Sequence, residues 1–446
     1  MIRKLAKLVV AIGVVAMAIP SFAAVENVKV GGDIDVKMIY RDSFDFNALG
    51  LDENTFTYIG TRVYIAAELT DNVSAMIRLI NERDFGNDYL REVEGSLVVD
   101  LAYVKLADLL TPGLDLIVGR QEIQLGEGLV VGSRYRAIDY LLADLGTAAL
   151  DLGQQKAFDA VRVNYAIPAT NISLTGFKAK IAESYGLTPL GILTGLGSPI
   201  GEIGDVDLYG LGLTYDNGVF CIDPYFVYTI MADGTNDLDL MTGGVRAGYT
   251  PMENLNLKLE LAKQFGDTDF GGGVDFEGWA GLFGVSYTFN TSMQPTITAG
   301  YSYFSGQDAT ATDMEAWMPV FPANIASRVG KVAYPLLFPA GEGIVNPLCG
   351  TGSGLQVINL GFGLKPTEKL TIGLDLFNLT ADESGAASDD YGNEIDLSLT
   401  YAYTEDVSFG IDLGTLLTGD NIEDTLGAGV DVEDPWQAIV SMKVVF

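Results

Sequence analysis

The chain has 446 residues, with 59 acidic against 26 basic side chains and a formal net charge of −33. A surplus of acid on this scale repels polyanions, so nucleic acid is excluded as a partner. Histidine is absent, which removes serine–histidine–acid triads, histidine metal sites and histidine acid–base work; no Ser or Asp cluster replaces them, so the chain does not read as an enzyme.

The first element is a leader. Arg3, Lys4 and Lys7 precede an apolar run from Leu8 to Ile19, and Ser21 and Ala23 supply the small residues of a cleavage site. Residues 1–23 therefore read as a signal peptide and 24–446 as one outer-membrane domain. The run is too short for a spanning helix, and no later stretch is longer.

From Ala24 onward the sequence alternates apolar and polar residues in segments separated by turn residues. This is the pattern of an all-β chain forming a transmembrane antiparallel up-and-down β-barrel of about 18 strands. The expected strands cover 27–41, 54–69, 73–83, 96–107, 114–123, 158–167, 171–184, 205–215, 219–231, 239–250, 255–266, 275–289, 293–305, 355–365, 369–380, 392–403, 406–414 and 436–446. After even-numbered strands the connections are tight, as at Thr70-Asp71-Asn72, Asp216-Asn217-Gly218 and Thr404-Glu405-Asp406. After odd-numbered strands most are long: 42–53, 84–95, 124–157, 185–204, 306–354, 381–391 and 415–435. Short periplasmic turns and long extracellular loops produce this parity; a soluble sandwich has no reason to keep it.

The strand faces agree. Ile395, Leu397, Leu399, Tyr401 and Tyr403 alternate with Glu394, Asp396, Ser398 and Thr400. The last strand sets Trp436, Ala438, Val440, Met442, Val444 and Phe446 on one face, and a closing Phe446 on the lipid side resembles the signal read by the barrel assembly machinery. The expected surroundings are outer-membrane lipid and lipopolysaccharide, in the bacterial outer membrane.

A base facing lipid at mid-bilayer costs about 2–4 kcal/mol, so charges within strands should point into the lumen. Flanking apolar residues put Arg62, Arg78, Arg162 and Arg246 there; Arg120 follows the rule less cleanly. Asp100 and Glu260, with Glu68, Asp375 and Asp396, face them across a lumen that reads as water-filled. Arg62, Arg78, Arg120 and Arg162 could form a cationic ladder, joined by Arg134 and Arg136 if their loop folds inward. The plainer reading is that each arginine pairs with a luminal carboxylate and stiffens the wall.

Within loop 124–157, residues 137–145 have helical spacing and could constrict the pore or pack outside it. Loop 306–354 is apolar and proline-rich, and either plugs or lines the vestibule or meets a neighbouring subunit or lipid. The loops 381–391 and 415–434 are acidic. Asp233, Asn236, Asp237 and Asp239 alternate in the manner of a calcium loop but lack its closing Glu, so solvated acids are the default, Ca2+ the minor alternative, and no other cofactor is expected. Cys221 and Cys349 fall near opposite ends of the barrel, which disfavours a disulfide.

Several segments carry a family resemblance: Ala102-Tyr103-Val104-Lys105-Leu106, Val118-Gly119-Arg120-Gln121-Glu122, the spaced Gly126 and Gly132, Tyr135-Arg136, and Phe158-Asp159-Ala160-Val161-Arg162. They resemble the alginate-export family, a branch of the 18-stranded substrate-specific porins. The resemblance implies a monomeric barrel, an electropositive constriction made by Arg120, Arg136 and Arg162, and passage of anionic saccharides. The expectation is a porin for passive diffusion of small hydrophilic or anionic solutes. The alternatives are a transporter of hydrophobic compounds through loop 306–354, and a surface structural or adhesive barrel whose acidic loops bind divalent cations.

Overall fold

The computed structural model describes residues 27–44, 46, 54–85, 97–132, 152–182, 205–232, 237–269, 273–337, 352–385, 387–427 and 430–446. The leader, the segment 137–145, Arg134, Arg136, Asp233–Asn236 and Cys349 lie outside them.

Eighteen long strands form one antiparallel sheet. They are β1 (Asn27–Asp42), β2 (Asn54–Thr70), β3 (Val73–Asp84), β4 (Val98–Leu106), β5 (Leu114–Glu122), β6 (Ala157–Ala166), β7 (Ile172–Ala182), β8 (Asp205–Asp216), β9 (Phe220–Ala232), β10 (Asp237–Met252), β11 (Leu255–Thr268), β12 (Trp279–Thr288), β13 (Thr296–Phe304), β14 (Leu355–Thr367), β15 (Leu370–Thr380), β16 (Asp390–Ala402), β17 (Val407–Thr418) and β18 (Trp436–Val445). A two-residue ribbon, Val274–Asp275, extends the pairing of β11. Each strand pairs with its sequence neighbours, and β18 returns to β1 with Asp33 opposite Val445 and Asp42 opposite Trp436. Closure leaves no open edge, so every backbone group inside hydrocarbon has a partner.

The turns show why the strands reverse where they do. At Asp216-Asn217-Gly218, Gly218 takes φ +83°. The Asp216 carboxylate accepts from Gly218 N at 2.7 Å, and the Asn217 amide oxygen accepts from Val219 N and Phe220 N. A residue without Cβ adopts that φ freely, and the side chains replace the missing ladder bonds.

Strand parity sorts the side chains. Val63, Ile65, Ile77, Val118, Val161, Val163, Leu211, Leu261, Ile358 and Ile411 are exposed on the outer face. Leu208, Val227, Leu240, Ala262, Leu282, Val357 and Leu379, one residue out of phase, are buried inside. The lumen is thus not uniformly polar, as the charge pattern alone suggests. Its extracellular half, from β6 round to β17, carries apolar side chains that cover an inward loop.

That loop is the descending part of 305–337, with helices α1 (Ala326–Val329) and α2 (Ala333–Leu337). Trp317, Met318, Val320, Phe321, Ile325, Val329, Val332 and Leu336 join the wall residues in one buried cluster. Burial of apolar surface, worth about 25 cal/mol per Å², is why a proline-rich loop enters the barrel. A third helix, α3 (Asp420–Leu426), lies in the loop before β18. No described helix is long and apolar enough to cross a membrane.

Candidate pore and its constriction

Two loops meet inside the barrel. The strand β5 continues as Ile123–Gly132, whose Leu125, Leu129, Val130 and Val131 are buried. Gly132 N donates to Phe321 O at 2.7 Å, Phe321 N to Val130 O at 3.2 Å and Ala323 N to Gly128 O at 2.8 Å. The two segments therefore fold as a unit.

Buried carboxylates of the wall hold this unit in the same way at two places. On β11 the Glu260 carboxylate accepts from Glu127 N at 2.6 Å and from the Tyr225 hydroxyl at 2.7 Å. Gly126, at φ +57°, lets the loop approach: a Cβ there would lie 2.5 Å from Glu260 Oε1. On β16 the Glu394 carboxylate accepts from Val332 N and Ala333 N, both at 2.7 Å, and Asp396 accepts from Lys331 N at 3.0 Å. Gly330, at φ +111°, is the matching relief; a Cβ would meet Glu394 Oε2 at 2.4 Å. Lys331 also pairs with Asp412 on β17, and its carbonyl accepts from the Gln437 side chain on β18. The unit spans the lumen from β11 to β18.

The predicted luminal arginines separate into three kinds. Arg62 and Arg78 are luminal and held by carboxylates. Arg62 grips Asp33 with Nε at 3.0 and 2.9 Å from its two oxygens, while Arg78 pairs with both Asp100 and Glu122. Arg246 is luminal as well, between Glu127 at 2.8 Å and Asp223 at 2.6 Å. Lys258 at 3.1 Å and Arg328 at 4.0 Å bring the bases around Glu127 to three. Burial pushes the Glu127 carboxyl up, but hydrogen bonds from Lys258 and Arg246 outweigh it and leave its pKa below the ordinary value.

Arg120 is a correction. It lies opposite Asp159, 3.9 Å away, in register with exposed Val118 and Val161, so it faces out of the barrel. Parity places it there; its immediate neighbours Gly119 and Gln121 offer no apolar residue from which to read a face.

Arg162 is the third kind. Its Nη1 donates to Glu122 O at 3.1 Å, its buried Nε has no hydrogen-bond partner, and it pairs with no carboxylate among the described residues. It lines a luminal cavity of about 470 Å³ below Gly126, together with Asn164, Ser173, Thr175 and Thr214. The two acids in that lining are already engaged: Asp115 by Lys105 at 2.7 Å and Asp223 by Arg246.

Sequence reasoning missed Glu127, the hub of three bases, and the pairing role of Asp33, Asp35 and Lys37 on β1. Gln154 ties residues 152–155 to this sector through Asp35 at 3.0 Å and Glu82 at 2.6 Å. A glycine on each side of Glu127 was the available signal. The calcium-like run falls partly outside the described residues, and no cluster of ligating side chains occurs among those described.

A closed barrel with an apolar outer belt and a charged, partly occluded lumen is the architecture of outer-membrane porins, and solved structures agree. Pseudomonas aeruginosa OpdO matches with TM-score 0.58 at 12% identity, covering 95% of this chain and 99% of that one. Pseudomonas aeruginosa OccK8 (OprE) matches with TM-score 0.56 at 15% identity, covering 95% and 99%. Acinetobacter baumannii OccAB1 gives 0.55 at 11%, covering 96% and 99%. The fold is therefore that of the outer-membrane porin barrels. Residues 200–337 match the family described as alginate export. That stretch follows the segments that carry the resemblance in sequence and includes both β11 and the inward loop. No curated protein sequence matches the chain.

Proposed function

We propose that this porin passes small hydrophilic anions by passive diffusion, with Arg162 as the side chain they meet below the constriction. The observation that carries this is the lumen's charge pairing. Arg62, Arg78 and Arg246 are held by carboxylates and stiffen the wall, whereas Arg162 faces a polar cavity without one. A guanidinium there offers donors to a passing carboxylate or sulfate, and hydroxyl and amide neighbours replace part of its hydration. The weak, single contact lets the solute leave again. Alginate-type polymers stay within this reading only as one member of the anionic class.

The test is the reversal potential of the purified protein in a planar bilayer under a salt gradient. Arg162→Gln should lower the anion-to-cation permeability ratio by several-fold, and Arg62→Gln should leave it nearly unchanged. Cation preference in the wild type, insensitive to Arg162→Gln, would reject the proposal.

A further inference from the structure

Closure pairs every strand with both neighbours, but among the described strand pairs one ladder is interrupted without a change of register. Between β8 and β9 the pairs stop at Gly212 with Tyr225 and resume at Tyr215 with Ile222. The skipped positions are Leu213 opposite Pro224 and Thr214 opposite Asp223. Proline has no N–H to give the ladder, so Pro224 strands no donor in hydrocarbon. On their far sides both strands stay paired, Leu213 with Leu174 and Pro224 with Val245. The interruption is therefore a slit in the wall and not a free edge. Tyr215, Phe220 and Tyr249 lie between it and the short turns. Aromatic residues mark the interface of such barrels, which puts the slit in the inner-leaflet half of the bilayer when the short turns are periplasmic.

The luminal cavity of about 470 Å³ that holds Arg162 reaches this slit. The strand residues lining it have inward parity, with two exceptions. Leu213 and Pro224 have outward parity and are exposed on the lipid face, yet they line the cavity as well. These two are the pair that the ladder skips. Gly212 keeps the inner approach clear: a Cβ there would meet only Leu125 Cδ2, at 3.4 Å. The Tyr225 hydroxyl donates to Glu260 at 2.7 Å, which holds its ring aside. Outside, exposed Leu174, Leu211 and Phe226 border the slit. The cavity thus joins a polar end at Arg162 to an apolar opening. From β6 to the slit is two and a half strand spacings, about 12 Å at the usual interstrand distance.

We infer that the cavity is a side exit for amphiphilic carboxylates, of the kind of medium-chain fatty acids: the carboxylate rests at Arg162 while the tail passes between Leu213 and Pro224 into the bilayer. The guanidinium donates to the carboxylate, and the hydroxyls of Ser173, Thr175 and Thr214 replace part of its water. Burial of methylenes against Leu213, Pro224 and the leucines beyond draws the tail sideways. A solute without a tail finds nothing at the slit and continues along the axis, so the side exit sorts solutes by shape after the constriction has admitted them. The role of Arg162 rests on the anion reading of the pore; the slit does not.

The experiment is block of the chloride current through the purified protein in a planar phospholipid bilayer by decanoate, with butyrate and decanedioate for comparison. Decanoate should block at a concentration roughly tenfold or more below butyrate, because only its tail buries methylenes in the slit. Decanedioate should behave like butyrate, since its second carboxylate cannot enter hydrocarbon. Pro224→Val supplies an N–H and a strand-forming side chain that close the ladder, and should bring decanoate block to the butyrate level. Equal block of wild type by decanoate and decanedioate, or undiminished decanoate block in folded Pro224→Val, overturns the side exit. If Pro224→Val does not form the barrel, the comparison of the two acids on wild type decides alone. The reversal potential, read before any acid is added, tests the anion reading separately. Anion preference that depends on Arg162, without the difference between decanoate and decanedioate, overturns the side exit only. That difference, lost in Pro224→Val but present in a channel with no anion preference, upholds the slit and overturns the anion reading.

Discussion

Glu394 shows how one side chain sets the position of a whole loop. Its two oxygens accept two backbone N–H groups that have no other acceptor in a buried setting. Leaving such donors unpaired costs about 1–3 kcal/mol each. Glu394→Ala should therefore lower barrel stability by that order in urea unfolding and make the single-channel current noisier; wild-type stability in this variant would show that the clasp contributes nothing. Glu127 gives the pH counterpart. Its depressed pKa means that the ionised form favours the docked loop at and above neutral pH, and this contribution is lost as pH falls through its native pKa, below the ordinary glutamate value. Conductance should change on acidification below about pH 4. In Glu127→Gln that change should be absent, and its persistence would assign the transition to another group. At this scale the sequence was only partly legible. The faces of Arg62, Arg78, Arg162 and Arg246 follow from apolar neighbours, but whether an inward arginine is free or paired depends on residues tens to a hundred positions away, as with Arg246 and Glu127.

At the scale of elements, the strands were legible almost throughout because two signals coincide. A period of two marks each membrane-facing strand, and Asp, Asn, Gly and Thr mark each tight turn. The residues of β12 were read too long at the start, since Asp275 alternates like a strand residue but belongs to the short ribbon beyond Gly278. The inward unit was not legible in the same way. Apolar content shows that 306–354 must bury itself, yet lipid, a neighbour and the lumen satisfy that demand equally well until the inward parity of β11 and β16 supplies the acceptors. The unit's neck is narrow, with Gln307 N donating to Gly352 O at 2.6 Å. Replacing residues 310–349 by two glycines should leave the strand ladder intact and raise conductance several-fold, in keeping with the general role of inward loops as constrictions. An unchanged conductance would mean that the unit does not limit the pore.

For the whole molecule, the outer belt and the ladder decide stability together. Ile411 sits mid-belt with Leu399 and Val440 beside it. Ile411→Arg should cost about 2–4 kcal/mol in reversible folding into bilayers, and a cost near zero would mean that this face is not in lipid. One further consequence lies in the seam between β1 and β18. Its partners, Asp33 and Val445, are roughly four hundred positions apart, so this is the contact of greatest sequence separation in the wall. Every other strand pair can zip locally as hairpins, while the seam must wait for the last segment. Time, rather than energy, singles it out: until it forms, β1 and β18 are both open edges, and a cell must shelter them from pairing with a neighbouring chain.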